Sequence, residues 1–212
     1  MRSHASLSSL IEVMQVRAAE QPNGRAFTYL GDGETEAGSL TYGEIDRRAR
    51  AIAATLQRYE IGGQRVLLLY SSALEFVPAF FGVLYSGAIA VTAPLPASVR
   101  LARTLPRLEA IVTDANAKIG LTTLLAMNDV RGMFSASREL AALKWLSTDT
   151  IPSNRAEHWQ QPEVDSETLA FLQYTSGSTA APKGVMVSHG NVLHNSECIK
   201  LNWGYTRESV SV

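Results

Sequence analysis

Apolar residues at Leu7, Leu10, Ile11, Met14 and Ala18 recur at the spacing of one helical face, so the first expected element is a helix over Leu7–Ala19. Pro22-Asn23-Gly24 ends it in a turn. Ala26–Leu30 reads as a strand, Gly31-Asp32-Gly33 as a hairpin turn, and Ser39–Tyr42 as the returning strand. Thr41 with Glu44 three residues on is a capping-box signature. The helix it opens, Tyr42–Tyr59, carries Ile45, Ala49, Ile52, Ala53 and Leu56 on one face, and Gly62-Gly63 closes it. Val66–Tyr70 is an unbroken apolar run, the pattern of a strand covered on both faces.

The alternation continues. A helix over Ala73–Tyr85 stops at Gly87 and leads to a strand at Ala88–Ala93, a unit that implies parallel strands and a right-handed crossover. A Pro-rich turn over Ala93–Pro96 precedes a helix at about Ala97–Ala115 and a strand at Lys118–Thr122. Thr123–Leu143 reads as one helix with a weak point at Gly132, and Ser147–Ile151 as the last strand of this sheet. Asn154–Glu167 is polar and holds Pro162, so it reads as a surface linker. The expected fold is α/β, a mainly parallel sheet flanked by helices. The expected organisation is an α/β subdomain over 1–153, the linker over 154–167, and the start of a second α/β unit over 168–212.

Composition narrows the class. The chain has 212 residues, 46% of them hydrophobic, with 19 Lys+Arg against 20 Asp+Glu. That excludes disorder, which needs low hydrophobicity and high net charge, and it argues against a basic nucleic-acid-binding surface. Cys198 is the single cysteine, so no disulfide framework is available. The N-terminus lacks the apolar core of a secretory signal. Phe76–Val99 has no charged residue and is long enough to span a bilayer, but Pro78, Gly82, Gly87, Pro94 and Pro96 interrupt it. It reads as a buried helix and strand rather than a stable membrane insertion.

Chemistry concentrates in Thr168–Asn195. A strand at Leu169–Tyr174 runs into Thr175-Ser176-Gly177-Ser178-Thr179-Ala180-Ala181-Pro182-Lys183-Gly184, a second strand at Val185–Val187 follows, and Ser188–Asn191 opens a helix. Phe171, Leu172, Val185 and Val187 are expected on apolar faces that call for later packing partners. Thr175, Ser176, Ser178 and Thr179 supply four hydroxyls within five residues. Gly177 permits close backbone approach, and successive N–H groups in such a turn form a nest for phosphate oxygens. Lys183 adds a positive charge. The segment departs from the Walker A pattern, because Pro182 stands at the second glycine position and Gly184 where Ser or Thr should follow the lysine.

Tyr174 to His189, with Gln173 before it and Gly190–Asn195 after it, resembles the phosphate-loop signature of the adenylate-forming superfamily, in its fatty acyl-AMP ligase branch. Leu40–Glu44, Ala51–Leu56, Val66–Tyr70, Ala79–Val91 and Leu105–Ala115 are similar to the same branch. The resemblance implies the N-terminal part of that family's large domain. It implies joining of a fatty acid to ATP, with Mg as companion ion, giving an acyl-adenylate for transfer to an acyl carrier protein. It places Thr175, Ser176, Gly177, Ser178, Thr179 and Lys183 on the ATP phosphates, with Lys183 as the catalytic residue, and assigns no metal ligand within the chain. Ala180 stands where many relatives have glycine. The family's adenine pocket, later acidic residue and C-terminal lysine would lie beyond Val212, so the chain reads as an N-terminal fragment, inactive alone, of a cytoplasmic enzyme. An acyl-CoA ligase, an amino-acid adenylation domain and a non-catalytic nucleotide-binding remnant stay open as alternatives.

Other candidates have plainer readings. His189 and His194 are five apart, off the spacing that shares a helix face, so His189 is expected to cap or pack. Phe76, Phe80, Phe81 and Tyr85 fall at core spacing. Arg47, Arg48 and Arg50 read as a solvated helix face, and Cys198 as an unreactive helical thiol.

Overall fold

The computed structural model describes residues 7–96, 101–134, 136–175, 182–206 and 209–210. Its elements in chain order are α1 (Leu10–Glu20), β1 (Arg25–Leu30), β2 (Glu36–Thr41), α2 (Tyr42–Gln57), β3 (Arg65–Tyr70), α3 (Ala73–Tyr85), β4 (Ile89–Pro94) and α4 (Leu101–Ala115). Then follow β5 (Ile119–Thr122), α5 (Leu124–Phe134), α6 (Arg138–Ala142), β6 (Lys144–Ser147), β7 (Leu169–Thr175), β8 (Lys183–Ser188) and α7 (His189–Trp203).

The expected α/β architecture is present. β1 and β2 form a separate antiparallel pair, and six strands form one sheet in the order β6-β5-β3-β4-β7-β8. All neighbours in it are parallel except the β7–β8 hairpin. Period-two alternation sends the strand side chains to two cores. Leu67, Leu69, Val91, Leu172 and Tyr174 pack with α4, α5 and α6, while Val66, Leu68, Ala90 and Leu121 pack with α2 and α3. α2 approaches α3 closely because Gly82 has no side chain: a Cβ there would stand 2.6 Å from Ile52. The sheet runs on past residues 154–167, since β7 hydrogen-bonds in parallel to β4.

Most elements stand where the sequence pattern puts them. The capping box of Thr41 and Glu44 opens α2 with both reciprocal bonds made. Gly87 ends α3 at φ 77, a conformation that suits glycine. Tyr85 is fully buried, while Phe76 and Phe80 are half-buried and join Phe171 of β7 in a ladder of ring contacts.

Three expectations need correction. The helix over Thr123–Leu143 is two helices, and the break lies beyond Gly132: the Ser137 side chain accepts the Leu140 N–H and starts α6 afresh. The strand expected at Ser147–Ile151 is Lys144–Ser147, because β6 is registered on β5 from Lys144↔Ile119 to Ser147↔Thr122, and it is not the last of the sheet, since β7 continues the parallel run beside β4. Thr148–Thr150 turns into a 3-10 helix, where Thr148 Oγ1 meets Tyr70 Oη at 2.8 Å. The polar stretch 154–167 contains most of a 3-10 helix, Ser153–His158, and lies along α2. Trp159 Nε1 donates to the Tyr85 carbonyl at 2.7 Å, and the Gln57 side chain brackets Gln160.

Candidate functional site

The carboxyl ends of the parallel strands define the edge on which a doubly wound sheet binds ligands. The connection from β3 passes to α3 on one face and that from β4 passes to α4 on the other, which opens a crevice between their ends. β7 lies beside β4, with Thr92 registered on Gln173, so the β7–β8 hairpin turns over at this same edge. Two of the six candidate residues frame its mouth. Thr175 and Lys183 are Cα partners across the two strands, and both are exposed. Ser176, Gly177, Ser178 and Thr179 lie outside the described residues.

The base of the hairpin is held firmly. Tyr174, one residue before Thr175, is buried, and its hydroxyl donates to Asp114 Oδ2 on α4 at 2.5 Å. Burial, then the hydrogen bond to the Asp114 carboxylate, pushes the phenol well above its ordinary pKa, so it keeps its proton and donates. The ring lies against Gly184, where a Cβ would stand 2.9 Å from Tyr174 Cζ. At the far end of β8, Ser188 and Asn191 form a second capping box, which starts α7. His189 is 1% exposed, and its Nδ1 accepts the Leu10 N–H at 3.1 Å while its own backbone N–H bonds to the Thr168 carbonyl. Burial lowers the imidazole pKa to about 4, so the ring is a neutral acceptor that ties α1 to α7. This is the packing role expected of it.

The arginines of α2 correct another expectation. Arg47 is exposed, but Arg48 pairs with Glu75, and Arg50 pairs with Asp46 at 2.7 Å and lies 4.3 Å from the Trp159 ring centroid. Tyr85 Oη donates to the other oxygen of Asp46 at 2.8 Å. A charge run alone cannot reveal such partners, because Glu75, Tyr85 and Trp159 are distant in sequence. A cavity of about 220 Å³ lies beside this cluster, lined among others by Arg48, Glu75, Thr148 and Asp149 and by none of the described hairpin residues. The Tyr174–Asp114 contact also had no local signal. On α7, His194 Nε2 and Cys198 Sγ are 3.7 Å apart, a fourth-neighbour pair that the comparison of His189 with His194 passes over. Among the described residues no group of three His, Cys, Asp or Glu side chains is placed to hold a metal ion. No described helix is long and apolar enough to cross a membrane.

The fold and the placement of the β7–β8 hairpin define the class as a doubly wound α/β protein with its candidate site at the carboxyl edge of the sheet. Comparison with known proteins gives the family: residues 14–211 match the family model described as AMP-binding enzyme, and the chain belongs to that family. It is 46% identical over 210 residues to a medium-chain-fatty-acid–[acyl-carrier-protein] ligase, JamA, of Moorena producens, covering 99% of this chain and 36% of the relative. It is 35% identical over 177 residues to the long-chain-fatty-acid–AMP ligase FadD23 of Mycobacterium tuberculosis, covering 82% of this chain and 30% of that one. The fold matches a crystal structure of a fatty acyl-adenylate ligase from L. pneumophila in complex with acyl adenylate and pyrophosphate. That match has a TM-score of 0.87 and 36% identity, over 99% of this chain and 35% of the other. The chain thus spans about a third of the length of the relatives it matches.

Proposed function

We propose that this chain supplies the phosphate-binding side of a fatty acyl-AMP ligase, which joins a fatty acid to ATP, releases pyrophosphate and passes the acyl group to an acyl carrier protein. The observation that carries the reading is the pairing of Thr175 with Lys183 across the mouth of the β7–β8 hairpin, at the ligand-binding edge of the sheet. The identity to an acyl-carrier-protein ligase supports the substrate class and the acceptor. In this reading Thr175, Ser176, Ser178 and Thr179 donate hydroxyl hydrogen bonds to the ATP phosphates, Gly177 lets the backbone approach them, and Lys183 places its ammonium against the leaving pyrophosphate. Fixed donors and a cation there stabilise charge that grows in the transition state. Magnesium would arrive on the triphosphate. Among the described residues no group of three His, Cys, Asp or Glu side chains is placed to hold it, and no step is assigned to it. The setting is cytoplasmic in this reading, where ATP and carrier proteins are found.

The test supplies ATP, magnesium and a panel of fatty acids to the gene product that carries this sequence, and measures pyrophosphate release and acyl-AMP by mass. Acyl-AMP is expected from medium- or long-chain acids. Lys183→Ala is expected to lower kcat/KM about ten- to a thousandfold through loss of a charge at the transferring phosphates. Wild-type pyrophosphate release by that variant would overturn the assignment. The 212 residues alone are expected to form no acyl-AMP, because positioning of the two reactants contributes up to about 7–11 kcal/mol and one phosphate hairpin cannot orient a carboxylate.

A further inference from the structure

Each end of the candidate loop has a neighbour that touches the same side chain. Tyr174 directly precedes Thr175, and Gly184 directly follows Lys183. The Tyr174 ring covers the Gly184 Cα so closely that no Cβ fits, and the Tyr174 hydroxyl reaches across to Asp114 on α4. β8 is the edge strand of the sheet, and Val185 and Met186 on it are 51% and 65% exposed. The β7–β8 ladder runs in register as far as Thr175↔Lys183, but among the described residues no strand lies on the outer side of β8, so the tie from Tyr174 to α4 holds the hairpin mouth against the rest of the fold. Asp114 itself stands in the last turn of α4, where a negative charge opposes the helix dipole. Its hydrogen bond with Tyr174 gives that costly placement a purpose.

We propose that Tyr174 and Asp114 are the positioning pair of the phosphate hairpin: their hydrogen bond locks the hairpin mouth to α4 and so sets the spacing of Thr175 and Lys183 toward a di- or triphosphate. The proposal rests on the phosphate reading above. Neither side chain touches the ligand in this account. The pair acts by holding the donors at one distance, which is what a rigid anion site requires.

The test measures inorganic pyrophosphate binding to the 212-residue chain by phosphorus NMR at millimolar concentration, with melting temperature followed by circular dichroism. Amide hydrogen exchange across residues 182–188 is followed in parallel. Tyr174→Phe and Asp114→Ala each remove the hydrogen bond and are expected to weaken pyrophosphate binding about three- to tenfold, as the loss of one part-buried charge-assisted bond implies. Exchange in β8 should rise while that of β3 and β4 is unchanged. Asp114→Asn keeps an acceptor for the phenol and is expected to bind within about twofold of wild type. That rescue is what a merely structural aspartate would not show. If Lys183→Ala weakens binding and neither Tyr174→Phe nor Asp114→Ala does, at unchanged melting temperature, the positioning pair is refuted and the phosphate reading stands. If wild type binds no pyrophosphate, or Lys183→Ala binds as well as wild type, the phosphate reading falls and takes this inference with it. If Tyr174→Phe unfolds the chain, Asp114→Ala against Asp114→Asn decides: equal binding by the two refutes the pair.

Discussion

At the scale of single residues, His189 shows how burial changes what a side chain can do. In water its imidazole would titrate near 6.5, but inside the fold it is held neutral down to about pH 4. Between those values the unfolded chain binds a proton that the folded chain refuses. Stability from this group is therefore complete above about pH 6.5 and falls as pH drops through that window toward 4. The urea midpoint of the wild-type chain should fall between pH 7 and pH 5. In His189→Asn that pH dependence should shrink, because the titrating group is gone while an acceptor for the Leu10 N–H can remain. An identical slope in the variant would mean that other groups carry it. Thr175 and Lys183 show the opposite case: both are exposed, and their importance comes from register rather than burial.

At the scale of elements, the chain from β6 to β7 is the segment whose role changes most between pattern and structure. Its composition is that of a solvated linker, yet Trp159 fastens it to α2 and α3. The ring receives the Arg50 guanidinium, Arg50 is paired with Asp46, and Asp46 accepts from Tyr85, whose carbonyl takes the Trp159 N–H. Pro162 also rests on Gly87, where a Cβ would stand 3.1 Å away. Trp159→Ala should cost on the order of 3 kcal/mol, from lost ring packing together with the cation–π contact. Equilibrium unfolding in guanidinium measures this, and a loss below about 1 kcal/mol would show the strap to be loosely held. In contrast, the capping boxes of α2 and α7 are local devices. Thr41 with Glu44 is legible because all its partners lie within three residues. The break between α5 and α6 is local too, but Ser137 competes with a continuous apolar pattern and periodicity alone hides it.

At the scale of the molecule, the sheet is well covered on both faces in the β3–β4–β5 region and poorly covered at the β8 edge. Leu172 is buried, and Phe171 packs against Phe80, so these two expected apolar positions already have partners. Val185 and Met186 on β8 are exposed, and so are Leu201 and Trp203 on α7, at 72% and 75%, with the Trp203 ring stacked on Tyr205. An apolar edge strand beside an apolar helix is a surface that associates. The 212-residue chain is expected to bind a hydrophobic dye and to show concentration-dependent dimers or larger species in sedimentation. A monodisperse monomer that binds no dye would contradict this.

The sequence by itself determined the alternation of strands and helices, the parallel sheet, the two-sided burial of β3, and the chemical character of the β7–β8 loop. Each of these rests on neighbours within a few residues: side-chain period, caps, turn residues and the order of hydroxyls, glycine and lysine. Tertiary structure alone decided which strands lie side by side, where β6 begins, and what the arginines of α2 touch. It also decided that Tyr174 meets Asp114, sixty positions away. Register and packing depend on pairs of surfaces brought together by the whole fold, and no local window of the chain contains both members of such a pair.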